Sequence, residues 1–292
     1  MSKSIISSNQ RSFHKFFLSF DVEEFTFPEE RGQLSQEERE MAFSYGREGM
    51  KIIMSILKRQ KIIATFFCTY EFFCKYPEVM KEVKKMGGEI GLHGYKHGDD
   101  YCSMNEKEII ESLCFAKKEM EKRIGVKIYG FRGPGFRAPS LKILEKVGFE
   151  YDSSLHPTYV PGKYNHLFQS RNICQKDNIW EIPISVVPGL RMPFSWIWFR
   201  NFPLEYAKMC TLLNIYSSSY TLLYFHPWEF VDLQEKKYPY HDVLWKLVVR
   251  NTGVPLERKL EQYIGWAKKR GVFSTMHDLL QEFKLHPVFD RK

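Results

Sequence analysis

Short apolar runs alternate with longer segments whose apolar positions recur at helical spacing. Residues 15–20, 62–68, 88–92, 127–131, 149–151, 179–184, 220–225 and 272–273 read as strands. The run at 62–68 is continuously apolar, as a parallel strand buried on both faces requires. Between the strands, helices are expected at 35–60, 77–86, 105–123, 140–147, 203–218, 256–270 and 276–283. Several carry their own boundary signals. Ser35 with Glu38 is a capping-box pattern, Asn105 is followed by Glu108, Pro77 opens a helix, and Gly125, Gly148 and Gly271 close three. About seven strand–helix alternations argue for an α/β architecture with a parallel sheet. Residues 156–178, rich in His, Pro, Gly and Asn, read as a long irregular loop, a class that is often functional.

The chain has 292 residues and 43% hydrophobic content, enough for one large core. The expected division is a leader at 1–14, one catalytic domain at 15–285 and a tail at 286–292. No apolar run is long enough for a transmembrane helix, and the first ten residues lack a signal-peptide h-region. These features favour a cytoplasmic protein, with the inner face of a membrane as a surface it could meet. The six cysteines (Cys68, Cys74, Cys102, Cys114, Cys174, Cys210) are scattered and form no C-x-x-C pair, so free thiols are expected. The net charge of +8 is dispersed over helix-like segments with no basic arm. Nucleic acid is not an expected partner; weak attraction to an anionic membrane surface is compatible with the charge. Oligomeric state has no signal in the sequence.

The polar residues that could carry chemistry fall just after strands, at their C-terminal ends, which form the active face of β/α barrels. Asp21 and Glu23 end the first strand two positions apart, so both carboxylates can face one cavity. His93 and His97 follow the third strand at a spacing that one helical turn would bring to one side, where they could hold a metal ion with a carboxylate. Arg132 opens a Gly-Pro-Gly loop in which it could fix a carboxylate's ionisation. His226 follows an apolar strand and suits a general acid. Each has an ordinary alternative: surface acids, helix-cap histidines, a turn with a salt bridge, a core histidine. His156 and His166 lie in the long loop and could touch substrate. The aromatic run 194–199 could stack on sugars, dip into a lipid interface or simply pack.

In order along the chain, 19–23 (SFDVE), 93–97 (HGYKH), 132–134 (RGP) and 224–226 (YFH) resemble motifs of the polysaccharide deacetylase family, the NodB-homology or carbohydrate esterase 4 group. Residues 65–67, 151–154 and 226–229 resemble a subgroup linked to surface-polysaccharide biosynthesis. The resemblance covers about residues 16–275. It implies a distorted (β/α)7 barrel and a divalent metal, most often Zn2+, with Co2+, Fe2+ or Ni2+ also admitted by a two-His, one-carboxylate set. By the match, Glu23, His93 and His97 are ligands, Asp21 the base, Arg132 its tether and His226 the acid. Gly135, Trp228 and Asp152 are placed at the oxyanion or substrate. The chain departs from the pattern where Val22 separates the two acids of the first motif, which makes Glu24 a rival ligand, and where Gly135 replaces an aromatic. A fourth motif is weak; Trp180 and Glu181 are the nearest candidates, with Glu181 as a partner for His226. The implied activity is removal of an N-acetyl or other N-acyl group from an amino sugar, free or lipid-linked. The alternatives are hydrolysis of another amide (a deformylase or cyclic amidase) and a carbohydrate-binding relative without turnover.

Overall fold

The computed structural model describes residues 14–285 except 29–31, 33, 102, 162–163 and 235–241. The expected tail, Cys102 and the expected leader up to residue 13 lie outside the described residues. His14, the last expected leader residue, already begins a strand.

The backbone of the fold is β1 (His14–Val22), a strand buried along nearly its whole length. It pairs in parallel with β10 (Tyr220–Phe225) on one side and β2 (Thr65–Cys68) on the other. From there the sheet continues in parallel through β3 (Glu89–Leu92), β4 (Gly130–Phe131), β5 (Tyr151–Asp152) and β9 (Ile179–Glu181). β8 (Cys174–Lys176) adds an antiparallel edge, and β11 (Gly271–Phe273) pairs with the start of β1. The sheet curls back on itself. Beyond β9, the Ser185 amide donates to the Leu222 carbonyl of β10 at 3.2 Å, and the Leu222 amide donates to Ser185 Oγ at 2.9 Å. Among the described residues the seven parallel strands from β10 round to β9, with the short parallel β11 beside the start of β1, thus form the expected distorted β/α barrel.

Strand alternation sorts the side chains. Phe16, Leu18, Phe20 and Val22 of β1 face the outer helices, where they meet Ile53 and Ile56 of α1 (Gln36–Gln60), Met80 of α3 (Pro77–Lys85) and Leu113 of α4 (Glu106–Ile124). Phe17, Phe67, Tyr151, Leu222 and Tyr224 point inward and pack on Met276 and Leu280 of α10 (Met276–Leu285). That helix closes the bottom of the barrel, where the Met276 amide donates to Thr65 Oγ1 and the His277 amide to Glu89 Oε2, both at 3.0 Å. The top stays polar.

The structure departs from the pattern reading in several places. The strands expected at 62–68, 127–131 and 179–184 pair only at 65–68, 130–131 and 179–181. Lys61 caps α1 in a left-handed conformation, which delays β2, and Pro183 has no amide to extend β9. The loop at 156–178 contains a hairpin, β6 (Tyr159–Val160) with β7 (Tyr164–Asn165), and the whole of β8. Three helices went unrecognised: α2 (Tyr70–Lys75), α6 (Trp196–Asn201) and α8 (Val243–Val249). Each has six or seven residues, too few to show a period. The expected helices at 140–147, 203–218 and 256–270 are α5 (Leu141–Val147), α7 (Leu204–Ser217) and α9 (Val254–Ala267).

α1 lies directly against the chain that carries the site. A Cβ at Gly49 would sit 1.7 Å from the Pro227 carbonyl oxygen, and one at Gly46 would sit 2.5 Å from the Glu23 carbonyl oxygen. Gly49→Ala should therefore force the helix off the 227–230 turn and destabilise the fold by about 3 kcal/mol, at the upper end for overpacking. Urea unfolding measures this; an unchanged midpoint would mean that the contact yields freely.

Candidate active site

Asp21 ends the inward row of β1, and Glu23 continues it one residue beyond the strand. Both are buried, as are His93, His97 and Arg132. Arg132 is wholly enclosed. Its Nη1 donates to Asp21 at 2.7 Å and to Ser19 Oγ at 2.8 Å; Nε and Nη2 donate to the Ser153 carbonyl and hydroxyl, each at 3.0 Å. The guanidinium also lies over the Phe67 ring, 4.3 Å from its centre. The expected tether between Arg132 and Asp21 is thus present. Burial alone would raise the Asp21 carboxyl; Arg132, with His93 and His226 nearby, outweighs it and holds the group below the usual carboxylate range.

The two histidines converge without the expected helical turn. Residues 93–98 form a bend in which Gly94 has φ 83 and no room for a Cβ, which would lie 2.5 Å from the Tyr101 hydroxyl. Asp99, which carried no signal in the sequence, closes the bend by accepting from the Tyr95 and Lys96 amides at 3.2 and 3.1 Å. The Tyr70 and Glu71 amides at the start of α2 grip it from the other side, donating to the Gly94 and Tyr95 carbonyls. His93 Nδ1 lies 2.8 Å from the Arg132 carbonyl, which fixes that nitrogen as the donor and leaves Nε2 with its lone pair. That Nε2 is 3.2 Å from Glu23 Oε2, and His97 Nε2 is 3.7 Å from the same oxygen. Glu23 is therefore the carboxylate that meets both imidazoles. Glu24 is buried too, and its charge acts on the Cys68 thiol.

His226 follows β10 and faces the same cleft, its Nε2 3.8 Å from Glu23 Oε1. Its partner is Glu229, three residues on in the turn at Pro227–Phe230. Glu229 Oε1 accepts the His226 amide at 2.8 Å and lies 3.2 Å from Nδ1. Glu229 is held in turn by the fully buried Arg200 of α6, whose Nε donates to the Arg250 carbonyl at 2.8 Å. Burial would lower the His226 pKa; Glu229, Glu23 and Asp21 together raise it above the ordinary histidine value. The expected pairing of His226 with Glu181 is not what the structure holds, because Glu181 lies across the sheet beside Asp152.

The cleft at this point has a volume of about 70 Å³ and is walled by Phe136, Tyr164, Trp196, Trp198, Tyr224 and Trp228, with Gly135 at its rim. Trp228 stacks on His226 at 5.0 Å and 18°. The aromatic run thus divides its work: Phe194 and Phe199 are buried, while Trp196 and Trp198 line the cleft. His156 is buried against Phe136 and Tyr164. Asp152 lines a second, larger cavity of about 770 Å³ with Glu181, Lys176 and His166; Gly135, Phe136 and Tyr164 border both spaces. Asp152 Oδ1 accepts from Ser154 Oγ at 2.6 Å, and Ser154 Oγ accepts from the Gly133 amide at 2.8 Å, so Asp152 braces the Arg132 loop from behind.

Residues 38–151 match the family model for polysaccharide deacetylases, and residues 153–287 match a domain of unknown function, DUF3473. Over residues 38–151 the chain is thus similar to the polysaccharide deacetylase family. Members of the site come from before, within and after the first match, since Asp21 and Glu23 precede it and His226 follows it. A peptidoglycan deacetylase of Helicobacter pylori is 27% identical over 119 residues, 40% of each chain. The aligned stretches span 28% to 40% of the lengths of the curated relatives that the chain matches. Among solved structures, a protein assigned as a polysaccharide deacetylase from Mycobacterium smegmatis superposes with a TM-score of 0.64 at 17% identity, over 100% of this chain and 97% of that one. An allantoinase gives 0.62 at 15% identity, over 98% and 99%. These likenesses establish the fold and do not choose among activities.

The Asp152–Glu181 pair makes a pH prediction. Burial pushes Asp152 up to about 6, and burial with the Asp152 charge pushes Glu181 well up. Both folded values exceed those of the unfolded chain, about 4. The pair's contribution to stability is therefore full below about pH 4 and falls as pH rises through 6. Glu181→Gln removes one member, so its thermal midpoint relative to wild type should climb between pH 4 and pH 7. A difference that stays flat with pH would show that the two carboxyls do not share their proton.

Proposed function

We propose that this chain hydrolyses an N-acyl group, N-acetyl above all, from an amino sugar of a polysaccharide or its precursor. One observation carries this reading. Asp21 and His226 face one cleft with their proton affinities pushed in opposite directions, Asp21 toward the ionised form and His226 toward the protonated form. That is the arrangement a base and an acid need.

The donor set fits a divalent ion. No trio of His, Cys, Asp or Glu among the described residues stands in a ready coordination arrangement. The separations of 3.2 and 3.7 Å between Glu23 Oε2 and the two Nε2 atoms nevertheless bracket the ~3.4 Å expected between two ligands of one tetrahedral zinc. Glu23, His93 and His97 would hold the ion, zinc in the first instance. When bound it would supply a Lewis acid for the amide carbonyl and for the attacking water.

The chain's own residues do the rest. Asp21, kept ionised by Arg132, takes a proton from water as the water oxygen bonds to the carbonyl carbon. The backbone at Gly135, at φ 57 and without a Cβ, lets a peptide amide approach the developing oxyanion. His226 gives its proton to the sugar nitrogen as the C–N bond breaks, which releases a free amine and acetate. Glu229 orients that imidazole and balances its charge. The small cleft admits an acyl group, and the adjoining cavity has the space for a sugar ring.

Acetate release from N-acetylated glycans tests this. Asp21→Asn and His226→Ala should each lower the rate by about 10²–10⁴. Equal release by wild type and Asp21→Asn would overturn the assignment, and tight glycan binding without release would favour a relative that has lost turnover. Independently of activity, His97→Ala should lower the divalent metal that co-purifies with the protein, as read by elemental analysis. Unchanged metal content would remove His97 from the ligand set.

A further inference from the structure

α7 is built the wrong way round for a helix covered by water. Its inward side carries Ala207, Cys210, Thr211 and Asn214, all buried, with Thr211 bonded to the Tyr263 hydroxyl and Asn214 to the Val186 carbonyl. Its outward side presents Met209, Leu212, Leu213 and Tyr216 at the i, i+3, i+4, i+7 spacing of one helix face. Tyr216 is 85% exposed.

The apolar surface continues off the helix. The Tyr206 hydroxyl donates to the Pro193 carbonyl and Asn214 to Val186, which fixes the 186–193 segment alongside α7; its Leu190 is 74% exposed. Arg191 Nη1 donates to the Gln169 carbonyl at 2.9 Å, which brings in Phe168, 96% exposed. Exposed apolar groups that adjoin in this way mark an interaction surface.

Two cations stand within the patch. Arg171 lies beside Ser217 at the end of α7, and Arg191 lies close enough for its charge to act on Arg171. Among the described residues neither is ion-paired, and their hydrogen bonds go to neutral oxygens. Two like charges set among exposed aromatic and aliphatic side chains suit an anionic interface. Their charge complements an anionic surface better than a second copy of this chain, whose net charge is itself +8.

We propose that the outward face of α7, with Phe168 and Leu190, docks on an anionic lipid surface, its apolar side chains entering the headgroup region and Arg171 and Arg191 meeting lipid phosphates. The Thr158 hydroxyl donates to the Arg191 carbonyl at 2.7 Å, and Thr158 leads into the β6–β7 hairpin, whose Val160 and Tyr164 line the cleft. A docked chain would hold its cleft within one hairpin of the bilayer. The consequence for substrate, a glycan carried on a lipid, rests on the proposed hydrolase; the docking itself does not.

Flotation of the full chain with phosphatidylcholine vesicles, with and without phosphatidylglycerol, tests this. The expected result is binding to the anionic vesicles that weakens with salt. It should fall about fivefold for Arg171→Gln and again for Arg191→Gln, about 1 kcal/mol per cation near the surface. Leu213→Glu should abolish it while the variant still melts cooperatively and releases acetate from a soluble N-acetylated oligosaccharide as wild type does. No flotation with either vesicle, or flotation that Leu213→Glu leaves intact, overturns the proposal. So does a dimer in sedimentation equilibrium that Leu213→Glu converts to monomer, which would identify a second copy as the occupant. Failure of acetate release by the wild type would count against the hydrolase alone.

Discussion

A guanidinium with no access to water sits at the centre of the barrel, and it sets both Asp21 and His93. Burying such a charge costs several kcal/mol unless its donors are all met. Arg132 meets them with Asp21 and Ser19 from β1 and with Ser153 just past β5, so it ties together strands that are not neighbours in the sheet. Its main-chain carbonyl meanwhile takes the Nδ1 proton of His93. One residue therefore ionises the carboxylate of Asp21 through its side chain and aims a neighbouring imidazole through its backbone. Without Asp21 the cation would lose its only charged acceptor among the described residues; without Arg132 the carboxylate would face burial with the nearby imidazoles to offset it.

A second buried cation does the complementary work on the far wall. Arg200 is as enclosed as Arg132 and holds Glu229, which receives both the amide and the ring of His226. The two ion pairs differ in what they leave over. Arg132 outweighs the burial of Asp21 and keeps it ionised. Glu229 retains enough negative charge, with Glu23 and Asp21 nearby, to raise the affinity of His226 for its proton. Opposite proton affinities across a narrow cleft follow because Asp21 answers to a buried cation, whereas His226 answers to carboxylates.

The sequence disclosed the barrel and the groups at its strand ends because both obey a period: two for the strands, with the polar residue at the next inward position. Asp21, Glu23, His93, Arg132 and His226 were legible on that rule. His97 comes beside His93 for a different reason than the spacing suggested, since a bend closed by Asp99 does what a helical turn was expected to do. Glu229 was within sight in the run 226–229, but its contact with His226 depends on a one-turn 3₁₀ geometry that no periodicity signals. Arg200 was hidden, and the role of the tryptophans in the run 194–199 stayed open, because a six-residue helix made largely of aromatics resembles a strand or a core run equally well.

Asp152 and Glu181 lie together outside the small cleft for one reason. Both residues end strands, and the family resemblance made Asp152 a candidate at the substrate and Glu181 a candidate partner of His226. Yet adjacent residues of a strand point to opposite faces. At 152–153 the inward position belongs to Ser153, which is bonded to Arg132, so Asp152 must face the other side, where its register partner in β9 is Glu181. The two carboxyls are thus driven together by the same pleat that keeps them out of the cleft. Through Ser154 and the Gly133 amide they act on it only indirectly, by holding from behind the loop whose first residue is the buried arginine.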